Sequence, residues 1–146
     1  MVQQFQRVAA CSQRDIPDAA KKSAARILVV DDERLVRWAV AETLGARGYE
    51  VSEAGDAKSA LQMLGGSGCL INLVLLDLFL PDACDLRVLK LMRALVPAIP
   101  VILMTAFATP DIIEQTLSLG ALVVTKPFDM PALAAAVDRT LAAPLS

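Results

Sequence analysis

Two apolar runs in this chain end in acid. Leu28-Val29-Val30 leads into Asp31-Asp32-Glu33, and Leu73-Val74-Leu75-Leu76 leads into Asp77. If both runs are parallel strands of one sheet, their carboxyl ends share an edge, and Asp31, Asp32 and Asp77 converge there. Carboxylates crowded together raise one another's pKa, and a bound cation relieves the repulsion. A donor set made only of oxygen suits a hard ion such as magnesium, which keeps part of its water and often receives a phosphate oxygen. Thr105 and Lys126 stand at the ends of two further apolar runs, so a hydroxyl and an ammonium join the acids at the same edge. This set matches phosphoryl transfer to an acid. A carboxylate attacks phosphorus to give an acyl phosphate, while the cations and the hydroxyl offset charge on the equatorial oxygens.

Each residue alone has a simpler explanation. Acids after a strand commonly cap the next helix and favour its positive end, Asp77 can be a turn residue before Pro81, and Thr105 a strand former. Their shared position at strand ends is what distinguishes them.

The elements that must position them alternate along the chain. Ile27 to Val30 is continuously apolar, as expected of a strand covered on both faces. Val36, Ala39, Val40, Thr43 and Leu44 then form one stripe of a helix. Tyr49 to Glu53 alternates as a second strand, and Asp56 offers an N-cap for a helix carrying Ala60, Leu61 and Leu64. Ile71 to Leu76 is the third strand, followed by a helix from about Asp85 to Leu95. Pro100 to Met104 is the fourth strand, and Thr109-Pro110 opens a helix that runs to Gly120. Ala121 to Val124 is the fifth strand, and Asp129 caps a last helix with Leu133, Ala136, Val137, Thr140 and Leu141 on its apolar stripe. The pattern predicts an α/β fold, a doubly wound, five-stranded parallel sheet with helices on both faces. In the flavodoxin-like order 2-1-3-4-5 the ligand crevice lies between strands one and three, which end in Asp31-Asp32 and Asp77.

Composition narrows the function classes. A chain of 146 residues, 55% apolar and 21% charged, is expected to form one globular domain. Residues 1–25 are expected to be a flexible leader, and residues 26–146 the domain. A net charge of −2 without a long basic run argues against direct nucleic-acid binding. No apolar stretch reaches membrane-spanning length and the N-terminus lacks the apolar core of a signal peptide, so a cytoplasmic protein is the expectation. Cys11, Cys69 and Cys84 are read as free thiols, since their number and spacing suit neither a disulfide framework nor zinc. The absence of histidine excludes His-based triads and imidazole metal sites.

The motifs together resemble the response-regulator receiver domain of bacterial two-component systems. The resemblance rests on Arg26-Ile27-Leu28-Val29-Val30-Asp31-Asp32-Glu33, Leu75-Leu76-Asp77-Leu78 with Pro81, Val101-Ile102-Leu103-Met104-Thr105-Ala106 and Thr125-Lys126-Pro127-Phe128. It covers about Arg26 to Ala143. It implies that Asp77 accepts a phosphoryl group from a sensor histidine kinase, with no enzymatic activity beyond self-catalysed phosphoryl transfer and autodephosphorylation. It further implies a Mg2+ ion held directly by Asp32, Asp77 and the backbone carbonyl of Phe79, and through water by Asp31. Thr105 would grip the phosphoryl group and move with it, Lys126 would pair with one of its oxygens, and the Lys126-Pro127 bond would be cis.

Three departures from the family pattern stand out. Val123 occupies the place, three residues before the lysine, where Tyr or Phe usually turns as the threonine shifts, and the Gly120 to Lys126 spacing is one residue shorter than usual. Asp85 stands where a glycine usually follows the phosphorylation loop. Phe79 and Phe107 each lie two residues past a site residue, and are expected to flank the phosphoryl group and limit attacking water. Val123 also leaves open a degenerate receiver that acts as an unphosphorylated scaffold. A haloacid-dehalogenase phosphatase shares the strand-end Asp nucleophile but needs a second Asp at the position of Phe79.

Output is expected to run through the fourth helix, fifth strand and fifth helix, toward a downstream effector or a second copy of the chain. Ile112, Ile113, Thr116, Leu117 and Leu119 spread apolar character around more than one side of that fourth helix. Leu78, Leu80-Pro81-Asp82 and Arg37-Trp38 are similar to receivers of activators that work with the alternative nitrogen sigma factor. The chain is expected to be either a stand-alone receiver or the first domain of a longer protein.

Overall fold

The computed structural model describes residues 25–66 and 70–142, so most of the expected leader, together with Cys11 and Cys69, lies outside the described residues. The strands are β1 (Arg26–Val30), β2 (Glu50–Ala54), β3 (Leu73–Asp77), β4 (Val101–Thr105) and β5 (Leu122–Thr125). They alternate with helices α1 (Arg34–Gly45), α2 (Ala57–Gly65), α3 (Arg87–Leu95), α4 (Pro110–Ser118) and α5 (Met130–Ala142). All strand pairs are parallel and the order is β2-β1-β3-β4-β5, as the sequence pattern predicts.

Alternation along the strands divides the core into two layers. Ile27, Val29, Leu73, Leu75, Ile102 and Met104 face one side, where Val40 and Leu44 of α1 and Leu133, Ala134 and Val137 of α5 cover them. Leu28, Val30, Val74, Leu76, Val101 and Leu103 face the other, against Ala57 and Ala60 of α2 and Val88, Leu89 and Met92 of α3. The β3 and β4 strands are buried along their whole length, which is why they read as unbroken apolar runs.

Helix starts follow the predicted caps. Asp56 accepts from the Ser59 N–H (2.7 Å), Thr109 from Ile112 (3.2 Å) and Asp129 from Ala132 (2.6 Å). The boundaries shift in places. The third strand begins at Leu73 rather than Ile71, because the Asn72 side chain accepts the Arg26 N–H at 2.7 Å and interrupts the regular ladder there. The fourth helix ends at Ser118, and Gly120 then turns the chain with φ +75. Asp85 accepts from the Arg87 N–H (2.9 Å) and pairs with its guanidinium, which ties down the entry to α3 at the position of the unusual residue. Among the described residues no helix is long and apolar enough to cross a membrane.

Candidate functional site

The site grows out of the strand alternation. Asp31 continues the series Ile27, Val29, and Asp77 continues Leu73, Leu75, on the face covered by α1 and α5. Lys126 follows Val124 on that same face. The β1–β2 ladder extends one step past β1 through Asp31 N–H to the Ala54 carbonyl (3.1 Å), and β4–β5 through Lys126 N–H to the Thr105 carbonyl (2.8 Å). The backbone therefore delivers the acids and the ammonium to one spot. The Lys126-Pro127 peptide bond is cis, as expected.

Asp31, Asp32 and Asp77 each offer an oxygen within 4.8 Å of the others. Asp31 and Asp77 are buried while Asp32 is exposed. Lys126 Nζ lies 2.8 Å from Asp31 Oδ2, 3.5 Å from Glu33 Oε1 and 3.6 Å from Asp77 Oδ1. Asp31 Oδ1 also accepts the Glu33 N–H at 2.9 Å, so both of its oxygens are engaged. Asp77 Oδ1 accepts a long bond from Phe79 N–H (3.4 Å).

Burial, followed by the Asp31 charge, pushes the Asp77 carboxyl up to about 6, against the pull of Lys126 and the Phe79 N–H. One ammonium among these acids leaves Asp77 incompletely compensated, and this surplus of negative charge is the observation that a divalent cation fits. Burial works to lower the pKa of Lys126, but its hydrogen bond to Asp31 and the charges of Asp31, Asp77 and Glu33 raise it on balance. It is fully cationic at neutral pH.

Thr105 is buried, and its Oγ1 accepts the Phe107 N–H at 2.9 Å. The rings expected on either side of the phosphoryl position, Phe79 and Phe107, touch each other. They meet edge to face, centroids 5.0 Å apart. Val123 lies half-buried on β5, the edge strand beside β4.

Two residues that the sequence marks only as parts of the motifs Arg37-Trp38 and Leu80-Pro81-Asp82 turn out to be positioning residues. Arg37 of α1 donates to the Asp31 backbone carbonyl (2.6 Å) and to Glu53 Oε1 (3.2 Å), so every polar group of Asp31 is engaged. Asp82, in the loop after Asp77, accepts from the Ala57 and Lys58 N–H groups at 2.8 and 3.0 Å. It caps α2 across 25 residues of chain.

On the expected output face Thr116 is buried, Ile112, Ile113 and Leu119 are half-buried, and Leu117 and Leu122 are 54% and 47% exposed. The apolar width of α4 is thus partly core and partly outward.

Comparison with known proteins gives one consistent family. Residues 27–138 match the response regulator receiver domain. The chain is 36% identical over 117 residues to the regulatory protein AtoC of Escherichia coli, covering 80% of this chain but only 25% of that protein. It is 34% identical to sporulation initiation phosphotransferase F of Bacillus subtilis, covering 80% of this chain and 93% of that protein. Among solved structures, a CheY-like receiver domain protein from Methanospirillum hungatei superposes with a TM-score of 0.75 at 28% identity, over 81% of this chain and 94% of that one. NtrX of Brucella abortus gives a TM-score of 0.73 at 32% identity, over 81% of this chain and 27% of that one.

Proposed function

The chain belongs to the response regulator receiver family, and from that premise we propose that Asp77 is the residue on which it receives a phosphoryl group from a sensor histidine kinase. An Asp77 carboxylate oxygen attacks phosphorus, the bond from phosphorus to the donor imidazole breaks with its electron pair going to the nitrogen, and the imidazole, already protonated on its other nitrogen, leaves neutral. The observation that carries this reading is the placement of one ammonium, Lys126, against two buried carboxylates at a sheet edge that also holds Asp32.

Asp32, Asp77 and the Phe79 carbonyl would hold Mg2+, with Asp31 acting through water because Glu33 N–H and Lys126 already occupy its oxygens. A bound Mg2+ supplies charge cancellation to the carboxylates and to one phosphoryl oxygen. Lys126 balances a second oxygen and the Thr105 hydroxyl donates to the third. The Asp77 carboxyl, pushed up to about 6, is mostly ionised at neutral pH and more basic than an ordinary carboxylate, as a nucleophile requires. Phosphorylation then alters the surface of α4, β5 and α5 that meets an effector or a second copy of the chain.

Incubation with acetyl phosphate and Mg2+ tests the reading by intact mass. The wild type gains one phosphoryl group, about 80 Da, and Asp77→Asn gains none. An equal gain in both, or none in a folded wild type, overturns it.

A further inference from the structure

The chain lacks an aromatic side chain at Val123, yet it carries an aromatic contact elsewhere that touches both sides of the site. Phe107 N–H is bonded to the Thr105 hydroxyl (2.9 Å) and Phe79 N–H to Asp77 Oδ1 (3.4 Å). Each ring therefore belongs to a residue whose backbone is tied to one of the two groups expected to meet across a phosphoryl group. The rings themselves close the circuit at 5.0 Å, with planes at 79°. They are 43% and 60% exposed, so both rings keep a free edge in solvent and have room to move.

Beyond Phe107 the hydrogen bonds continue without a gap. The Phe107 carbonyl accepts Thr109 N–H (2.9 Å), and Thr109 caps α4 through Ile112 N–H. The far end of α4 is anchored separately. Arg93 of α3 donates to the carbonyls of Leu119 (2.6 Å), Gly120 (3.0 Å) and Ile99. A pull on Phe107 thus reaches the first turn of a helix whose last turn is fixed to its neighbour.

We propose that Phe79 and Phe107 are positioning residues whose ring contact carries the state of Asp77, through Thr105, to the N-terminus of α4, in place of a side chain on β5. The proposal rests on Asp77 as phosphoacceptor. A phosphoryl oxygen that draws the Thr105 hydroxyl also draws on the Phe107 N–H bonded to it. Phe107 must follow or release the bond, and either response disturbs the edge-to-face contact with Phe79. Val123, with a single stiff rotor and no ring, has no comparable displacement to offer.

The test uses the full chain with acetyl phosphate and Mg2+. Intact mass reports phosphorylation, and hydrogen exchange reports the Phe107 to Ser118 segment before and after it. In the wild type, exchange at the start of α4 changes by about fivefold on phosphorylation, the scale of one hydrogen bond gained or lost. Phe107→Ala is still phosphorylated but loses that response, and Phe107→Tyr, which keeps a ring against Phe79, restores it. A wild-type response in phosphorylated Phe107→Ala, or no α4 response in phosphorylated wild type, overturns this proposal alone. Absence of phosphorylation in the wild type overturns the phosphoacceptor reading and this proposal with it.

Discussion

Lys126 is paired more closely to Asp31 than to Asp77, at 2.8 Å against 3.6 Å. The ammonium thus forms its closest ion pair with the buried acid that is not the proposed phosphoacceptor, and stands beside the one that is. Lys126→Met leaves Asp31 buried with a lost partner, and lowers unfolding stability in EDTA by about 1–3 kcal/mol, after allowance for the partial exposure of the lysine. Adding Asp31→Asn to it recovers part of that loss. Urea unfolding of the two single variants and the double variant checks this, and strictly additive losses would contradict the pairing.

The pH dependence of stability has an unusual sign at Asp77. Its carboxyl titrates at 3.8 when unperturbed and at about 6 in the fold, so the native state holds the proton more tightly. Stability contributed by this group is therefore greatest below about pH 4 and falls as pH rises toward 6, with the full cost present above. Asp77→Asn removes that cost. In EDTA near pH 7 it is more stable than the wild type by about 1–3 kcal/mol, and the gap closes near pH 4. Magnesium narrows the gap, because an ion that binds only the folded wild type stabilises it. Coincident stability curves for the two proteins at neutral pH would refute the assignment.

Arg93 gives α4 its anchor. Among the described residues its guanidinium donates to backbone carbonyls alone, two of them at the end of α4. Arg93→Met leaves those acceptors unpaired and costs about 1–3 kcal/mol. Hydrogen exchange quickens at Leu119 to Ala121 in this variant while the first turn of α4 stays as in the wild type. Uniform quickening along α4 would show that the anchor is not local.

The same two rings bear on phosphoryl lifetime. Phe79 and Phe107 together present apolar surface beside Asp77 and Thr105, where attacking water would approach. Replacing both with Asn shortens the half-life of the phosphorylated chain by about tenfold, the scale on which access of a positioned water alters a rate. Loss of the phosphoryl mass over time is the readout, and an unchanged decay would dispose of the idea.

Much of this was legible in the sequence because sheet burial imposes a pattern on it. Strands buried on both faces appear as Leu73-Val74-Leu75-Leu76 and Val101-Ile102-Leu103-Met104, and the acids, hydroxyl and lysine mark where those runs stop. The caps Asp56, Thr109 and Asp129 were legible because their bonds are local, three residues long. Asp82 and Arg93 were not, since their partners lie 25 and 26 residues away and depend on how the helices sit on the sheet. The contact between Phe79 and Phe107 was half legible. Their spacing from Asp77 and Thr105 placed both beside the site, but only the β3–β4 pairing brings ring to ring.

The central claim is the identity of the phosphoacceptor, and borohydride trapping tests it without any substitution. The wild type is incubated with acetyl phosphate and Mg2+, reduced with borohydride so that an acyl phosphate becomes an alcohol, and digested for peptide mass mapping. Homoserine at position 77 is the expected result. Homoserine at position 31 or 32, with residue 77 unaltered in a chain that has gained the phosphoryl mass, would contradict it.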